Sequence, residues 1–139
     1  MKEVIAVSAC LLGYNCKYDG KNNLNPNIVE YLKDKIVLPI CPEEFGGLST
    51  PRIPAEIQND GRILNQKGQD VTCCFLRGQL VTLELMKQHH ATKVILKDGS
   101  PSCGYSYVYD GSFTNTRLQG MGVTAKHLIQ NGVTILDLH

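Results

Sequence analysis

The sequence predicts an α/β domain, and two observations carry that prediction. Four short runs rich in β-branched and other apolar residues recur along the 139 residues, at 4–8, 36–40, 93–97 and 133–136. Helical patterns lie between them, and strands that alternate with helices fold as βαβ units with a parallel sheet. The expectation is a single domain over residues 1–139. Its sheet is mainly parallel and Rossmann-like, flanked by helices, with the first strand central and a small hairpin excursion.

The elements follow in order. Residues 4–8, VIAVS, form the first strand. Asn25-Pro26 reads as an N-cap followed by proline at the first helical position, with Ile28, Val29 and Leu32 as the apolar stripe. Residues 36–40 and 93–97 are nearly continuous in apolar side chains, as strands are when both sheet faces are covered. In the stretch 41–69, Asn59-Asp60-Gly61 between Ile57 and Ile63 predicts a small hairpin. That connection exceeds the roughly 15 residues usual for a structureless loop, which marks a functional excursion. Residues 70–90 read as the longest helix, with Val71, Cys74, Phe75, Leu76, Leu80, Leu83 and Met86 on its apolar face. His89 and His90 fall at its C-terminal end, where cations suit the helix dipole. The last helix, 122–130, stops at Asn131-Gly132.

Composition narrows the function classes. Hydrophobic residues make up 42% of the chain and the net charge is +1, with no run of like charges. An ordinary core is expected, and no electrostatic footprint for nucleic acid or an anionic membrane surface. The apolar run before Cys10 covers only residues 4–9, shorter than the roughly 7–15 of a signal peptide. No segment approaches the roughly 18 apolar residues of a membrane span. The expected setting is soluble and cytoplasmic.

Six cysteines in that setting require a reason, because cytoplasmic disulfides are rare. There is no CxxC and no zinc-finger pairing with histidine. Cys10 lies two residues after the first strand, Cys41 directly follows the second, and Cys103 follows the third after a six-residue bend. In an open parallel sheet, ligands bind outside the carboxyl ends of the strands, so these three thiols should emerge on one edge. Their segments, SACLLG, CPEEFGG and SPSCG, are turn-rich and let backbone approach a bulky group. Three convergent thiolates are soft ligands suited to zinc, copper(I) or an iron–sulfur cluster. A cubane normally takes four thiolates, so three would leave one position exchangeable.

The adjacent Cys73 and Cys74 read as packing, since neighbours on a helix do not face one site. Cys16 is open between a fourth ligand, a resolving thiol and packing. Glu43, two residues after Cys41, is a candidate general base, or else a solvated carboxylate at a helix start. Ser100 and Ser102 either orient a polar substrate or cap turns. Ser8 and Arg52 are candidates for holding substrate; Arg52 alternatively pairs with Glu56. Asp19 and Asp110 read as turn residues, and His127 carries no assigned role.

The segments SACLLGYNCKYDG, CPEEFGGLSTPRIPAE, LKDGSPSCG, YDGSF and GMGVTA together resemble the DUF523 family, which includes thiouracil desulfidases. They run from Ser8 to the start of the last helix, so the resemblance spans nearly the whole chain. It implies a [4Fe-4S] cluster held by Cys10, Cys41 and Cys103, with the fourth iron free to take the sulfur of a thiocarbonyl substrate. Hydrosulfide is released and a carbonyl remains, with no net redox change. The resemblance also implies assistance from Glu43 and from Ser100 or Ser102. The expected partner is a small thiocarbonyl compound, with no nucleic acid and no membrane. Lys17 stands where the family usually shows arginine, which matters only if a bidentate contact is made there.

Two other functions compete. A redox or metal sensor would use the same thiols with Cys16 as resolving partner, and would not need Glu43. A ligand-binding domain without chemistry would leave the three thiols unexplained.

Overall fold

The computed structural model describes residues 2–138. In chain order its elements are β1 (Val4–Ser8), a 3-10 helix (Ala9–Leu12), α1 (Pro26–Tyr31), β2 (Ile36–Ile40), α2 (Pro42–Phe45), β3 (Ala55–Ile57) and β4 (Ile63–Asn65). They continue with α3 (Thr72–Gln88), β5 (Lys93–Ile95), β6 (Tyr107–Tyr109), β7 (Arg117–Gln119), α4 (Val123–Gln130) and β8 (Thr134–Ile135). Four strands make a parallel sheet in the order β2-β1-β5-β8, as expected, with β1 inside. β3–β4 and β6–β7 are separate antiparallel hairpins.

Side chains of β1 alternate between two cores, the period-two rule of strands. Ala6 faces a core shared with Ile40, Leu83, Met86, Val94 and Leu128 under α3 and α4. Ile5 and Val7 face the other, with Leu11, Ile28, Leu32 and Ile95, under the 3-10 helix and α1. Both faces are therefore covered, which is why β1 carries no polar residue before Ser8. At the N-terminus of α1 the Asn25 side chain accepts from the backbone N–H groups of Asn27 and Ile28, with Pro26 at the first helical position.

Several expectations change. β2 is an edge strand whose two faces are both packed, with Leu38 and Ile40 on the α3–α4 core and Val37 on the other; Ile36 is exposed, and Pro39 is tolerated because an edge strand need not donate on both sides. On α3 the buried residues are Phe75, Gly78, Thr82, Leu83 and Met86, while Leu76 and Leu80 of the expected apolar face are 42% and 59% exposed. Gly78 sets that rotation. A Cβ there would lie 2.0 Å from the Pro42 carbonyl oxygen, and one on Gly46 would lie 1.9 Å from the Cys74 carbonyl oxygen. Backbone-to-backbone contact of α2 on α3 is possible only with glycine at the crossing. The hairpin across 57–63 is present, and a second, β6–β7, was not read from the sequence. Among the described residues no helix is long and apolar enough to cross a membrane.

Candidate functional site

The parallel register aligns the ends of β1 and β2, with Ser8 opposite Ile40. The Ser8 hydroxyl accepts from Lys97 N–H at 2.9 Å and so ties in the end of the β5 segment. Each chain then turns away carrying a cysteine. Cys10 sits on the 3-10 helix, Cys41 is the residue before Pro42 that opens α2, and Cys103 lies on the 98–106 loop. All three line one cavity of about 520 Å³, together with Ser8, Glu43, Arg52 and Ser100. Cys16 lines it too.

Cys10 and Cys41 are half-buried, whereas Cys103 is buried and packs against the α3–α4 core. The thiols are tuned apart. A hydrogen bond from Cys16 lowers Cys10 to about 6, aided by Asn23, whose Nδ2 donates to Cys10 Sγ at 3.4 Å, and by Lys97 and Lys17. Cys41 is lowered chiefly by a hydrogen bond from Cys16, with help from the Glu44 backbone and Arg52. Cys16, the donor to both, is correspondingly raised, with burial adding to the shift. Burial raises Cys103 to about 12, with the Glu43 charge adding to it and a hydrogen bond from Ser8 opposing.

Glu43 stands on the first turn of α2, its side chain 18% exposed. Arg52 Nε donates to Glu43 Oε1 at 3.1 Å, and the Arg52 side chain is only 8% exposed. Burial raises the Glu43 carboxyl above its ordinary value, against the opposing Arg52 charge. The rest of the Arg52 guanidinium is also engaged: Nη2 donates to the Cys16 carbonyl at 2.9 Å, and Nη1 to Thr50 Oγ1 at 2.8 Å. The expected alternative of an Arg52–Glu56 pair is thus replaced by Arg52–Glu43. Glu56 instead faces the second hairpin.

The two serines separate. Ser100 lines the cavity, and its Oγ accepts from Cys103 N–H at 2.7 Å. Ser102 is buried with its Oγ 2.7 Å from Thr124 Oγ1, outside the lining. Lys17 makes no bidentate contact; its ammonium lies 3.8 Å from Asp19. Cys73 is exposed and Cys74 half-buried, both on α3 and outside the cavity lining.

Sequence reasoning missed Asp98, the residue that shapes the Cys103 loop. Its Oδ1 accepts from the backbone N–H of Gly99, Tyr105, Ser106 and Tyr107, and its Oδ2 from the Ser106 hydroxyl. Burial opposes its ionisation, but these hydrogen bonds outweigh that and hold the carboxyl below its ordinary value. The available signal was aspartate directly before glycine in a turn. Asn23 gave no comparable signal, since its contact with Cys10 depends on how the 13–25 loop folds back.

Among the described residues no three His, Cys, Asp or Glu could hold a single metal ion. Cys10, Cys41 and Cys103 on one cavity are soft donors, of the kind that zinc, copper(I) or an iron–sulfur cluster takes.

Comparison with known proteins follows the same direction. Residues 5–138 match the family model described as 2-thiouracil desulfurase. The uncharacterized protein YbbK of Bacillus subtilis (strain 168) is 38% identical over 143 residues, covering 96% of this chain and 95% of that protein. Among solved structures, the [4Fe-4S]-dependent thiouracil desulfidase TudS (DUF523Vcz) superposes with a TM-score of 0.90 at 39% identity. That match covers 97% of this chain and 90% of the other.

Proposed function

The chain belongs to the 2-thiouracil desulfurase family, and on that premise we propose that it is a [4Fe-4S]-dependent desulfidase of thiouracil-like thiocarbonyl compounds that works by hydrolysis. One observation carries the reading: Cys10, Cys41 and Cys103 meet a buried Glu43–Arg52 pair at a single cavity. Cys10, Cys41 and Cys103 would hold the cluster. When bound, it supplies a Lewis-acidic iron that prefers soft sulfur to oxygen.

The chain's own residues do the rest. Arg52 engages Glu43 Oε1, and Oε2 is the atom we assign to the attacking water. Water oxygen bonds to the thiocarbonyl carbon while one of its protons passes to Glu43; the remaining hydroxyl proton passes to sulfur as the C=O bond forms and the C–S bond breaks, and sulfur leaves as hydrosulfide. No electron is gained or lost. Ser100 Oγ accepts from Cys103 N–H, which leaves its hydroxyl hydrogen to donate to a ring nitrogen or carbonyl. Ser102, bonded to Thr124, is left out of that role.

Cys16 favours the sensor reading, because it lines the same cavity as Cys10 and Cys41 and its carbonyl accepts from the Cys41 thiol at 3.9 Å. A sensor gives no reason for a carboxylate held in the cavity by an arginine, so the desulfidase reading ranks first. The test is anaerobic reconstitution with iron and sulfide, followed by incubation with 2-thiouracil. About four iron and four sulfide per chain, with hydrosulfide and uracil released in equal amounts, is the expected result. Reversible thiol oxidation without hydrosulfide release would favour the sensor instead.

A further inference from the structure

The YDGSF segment has no part in the chemistry above, yet it forms one side of the same cavity. Phe113, Thr114 and Asn115 line it, with Tyr107 and Tyr109 of β6 beside them. Glu56 on β3, itself at the edge of the cavity, holds this loop in place. Its Oε1 accepts from Gly111 N–H at 2.9 Å and from Phe113 N–H at 3.2 Å. Gln58 Nε2 adds a donation to the Gly111 carbonyl at 3.2 Å. Gly111 lies so close to β3 that a Cβ would be 2.8 Å from the Ile57 carbonyl oxygen.

Phe113 itself has φ 57 and Asn115 has φ 63. Asparagine tolerates the left-handed region, but a bulky aromatic there is strained. A loop that needed only to turn would take glycine or asparagine at both positions. Strain of this kind is found where an over-determined surrounding holds a side chain for function. Here the surrounding is the Glu56 carboxylate, and the side chain is a ring on the cavity wall.

We propose that the YDGSF loop, pinned by Glu56, is the wall against which the substrate ring lies, with Phe113 as a ring-binding, specificity-determining residue and Glu56 as a positioning residue. This rests on the desulfidase reading and extends it to the ring of the substrate. A planar thio-heterocycle offers a π-face to stack on the aromatic wall. An open-chain thiocarbonyl offers only the small face of its C=S group.

The test uses the reconstituted holoenzyme under anaerobic conditions, with 2-thiouracil as substrate and uracil as a non-reacting probe in equilibrium dialysis. Phe113→Ala is expected to raise KM for 2-thiouracil and Kd for uracil together, by about tenfold, the scale of base–aromatic stacking. Iron content should stay at the parent level and kcat within about twofold, the pattern of lost ground-state binding. Phe113→Tyr should restore both values. Glu56→Ala should reproduce the rise, and Glu56→Gln, whose amide oxygen still accepts the two N–H groups, should fall between. Phe113→Asn suits the left-handed backbone, so it should keep Tm while raising KM. Unchanged KM and Kd in Phe113→Ala, beside a parent that turns over 2-thiouracil, would overturn the wall and leave the desulfidase reading standing. A parent that releases no hydrosulfide would overturn the reading and the wall with it.

Discussion

Cys10, Cys41 and Cys103 are reached by three loops far apart in sequence, while Cys73 and Cys74 are neighbours on α3, and the two groups teach opposite lessons about one side chain. At the sheet edge the thiols meet Asn23, Arg52, Lys97 and one another, and their proton affinities are pulled apart. On α3, Cys73 faces solvent and Cys74 contributes its backbone, whose carbonyl lies against Gly46. Proximity in sequence does not gather ligands here; convergence at a sheet edge does. Adjacent positions on a helix point about 100° apart.

The strongest way to break this comparison is to empty the edge. Cys10→Ala, Cys41→Ala or Cys103→Ala is expected to drop iron from about four per chain to near zero. The far-UV circular dichroism should be unchanged, because the sheet does not depend on the turns. Iron retained by all three variants would erase the distinction between the two groups. Next, Glu43→Gln should keep its iron but lose about 10²–10⁴ in kcat, the usual share of a general base, measured as hydrosulfide release.

On the helix side, the sensitive residue is glycine and not cysteine. Gly78→Ala puts a methyl against the Pro42 carbonyl and should cost about 1–3 kcal/mol, read as a lower urea midpoint.

Asp98 sharpens the edge side by pH. Its carboxyl is lowered on folding, so its stabilisation is present above the unfolded value of about 3.9 and is lost as pH falls through the lower folded value. Urea midpoints of the parent and Asp98→Asn should differ at neutral pH and converge in acid. The smallest effect belongs to Cys73→Ser, exposed on α3. It should move stability by less than about 0.5 kcal/mol and leave iron content at the parent level.

Much of this was legible before any coordinates. The strand runs, the Asn25 cap, the hairpin across 57–63 and the meeting of Cys10, Cys41 and Cys103 at one end of the sheet all follow from local chemistry. The failures share one cause. Leu76 and Leu80 looked buried because periodicity alone allows several rotations of α3, and the Gly78–Pro42 crossing chooses among them. The Glu56 partner offered as one alternative for Arg52 rested on nearness in sequence, whereas the guanidinium donates to Glu43. The β6–β7 hairpin escaped although Asp110-Gly111 carries a turn signal, because its connection runs over 110–116 with Gly111, Phe113 and Asn115 all at positive φ, longer than the two-residue turn that such a pair specifies.

By itself the sequence determined the element types, the parallel sheet and which thiols follow its strands, because side-chain chemistry and turn propensity act over a few residues. Tertiary structure decided which serine reaches the cavity, which carboxylate Arg52 holds, where Cys16 sits and what holds the Phe113 loop. Those contacts join residues from 9 to 57 positions apart, and only the crossing of packed backbones sets their distances.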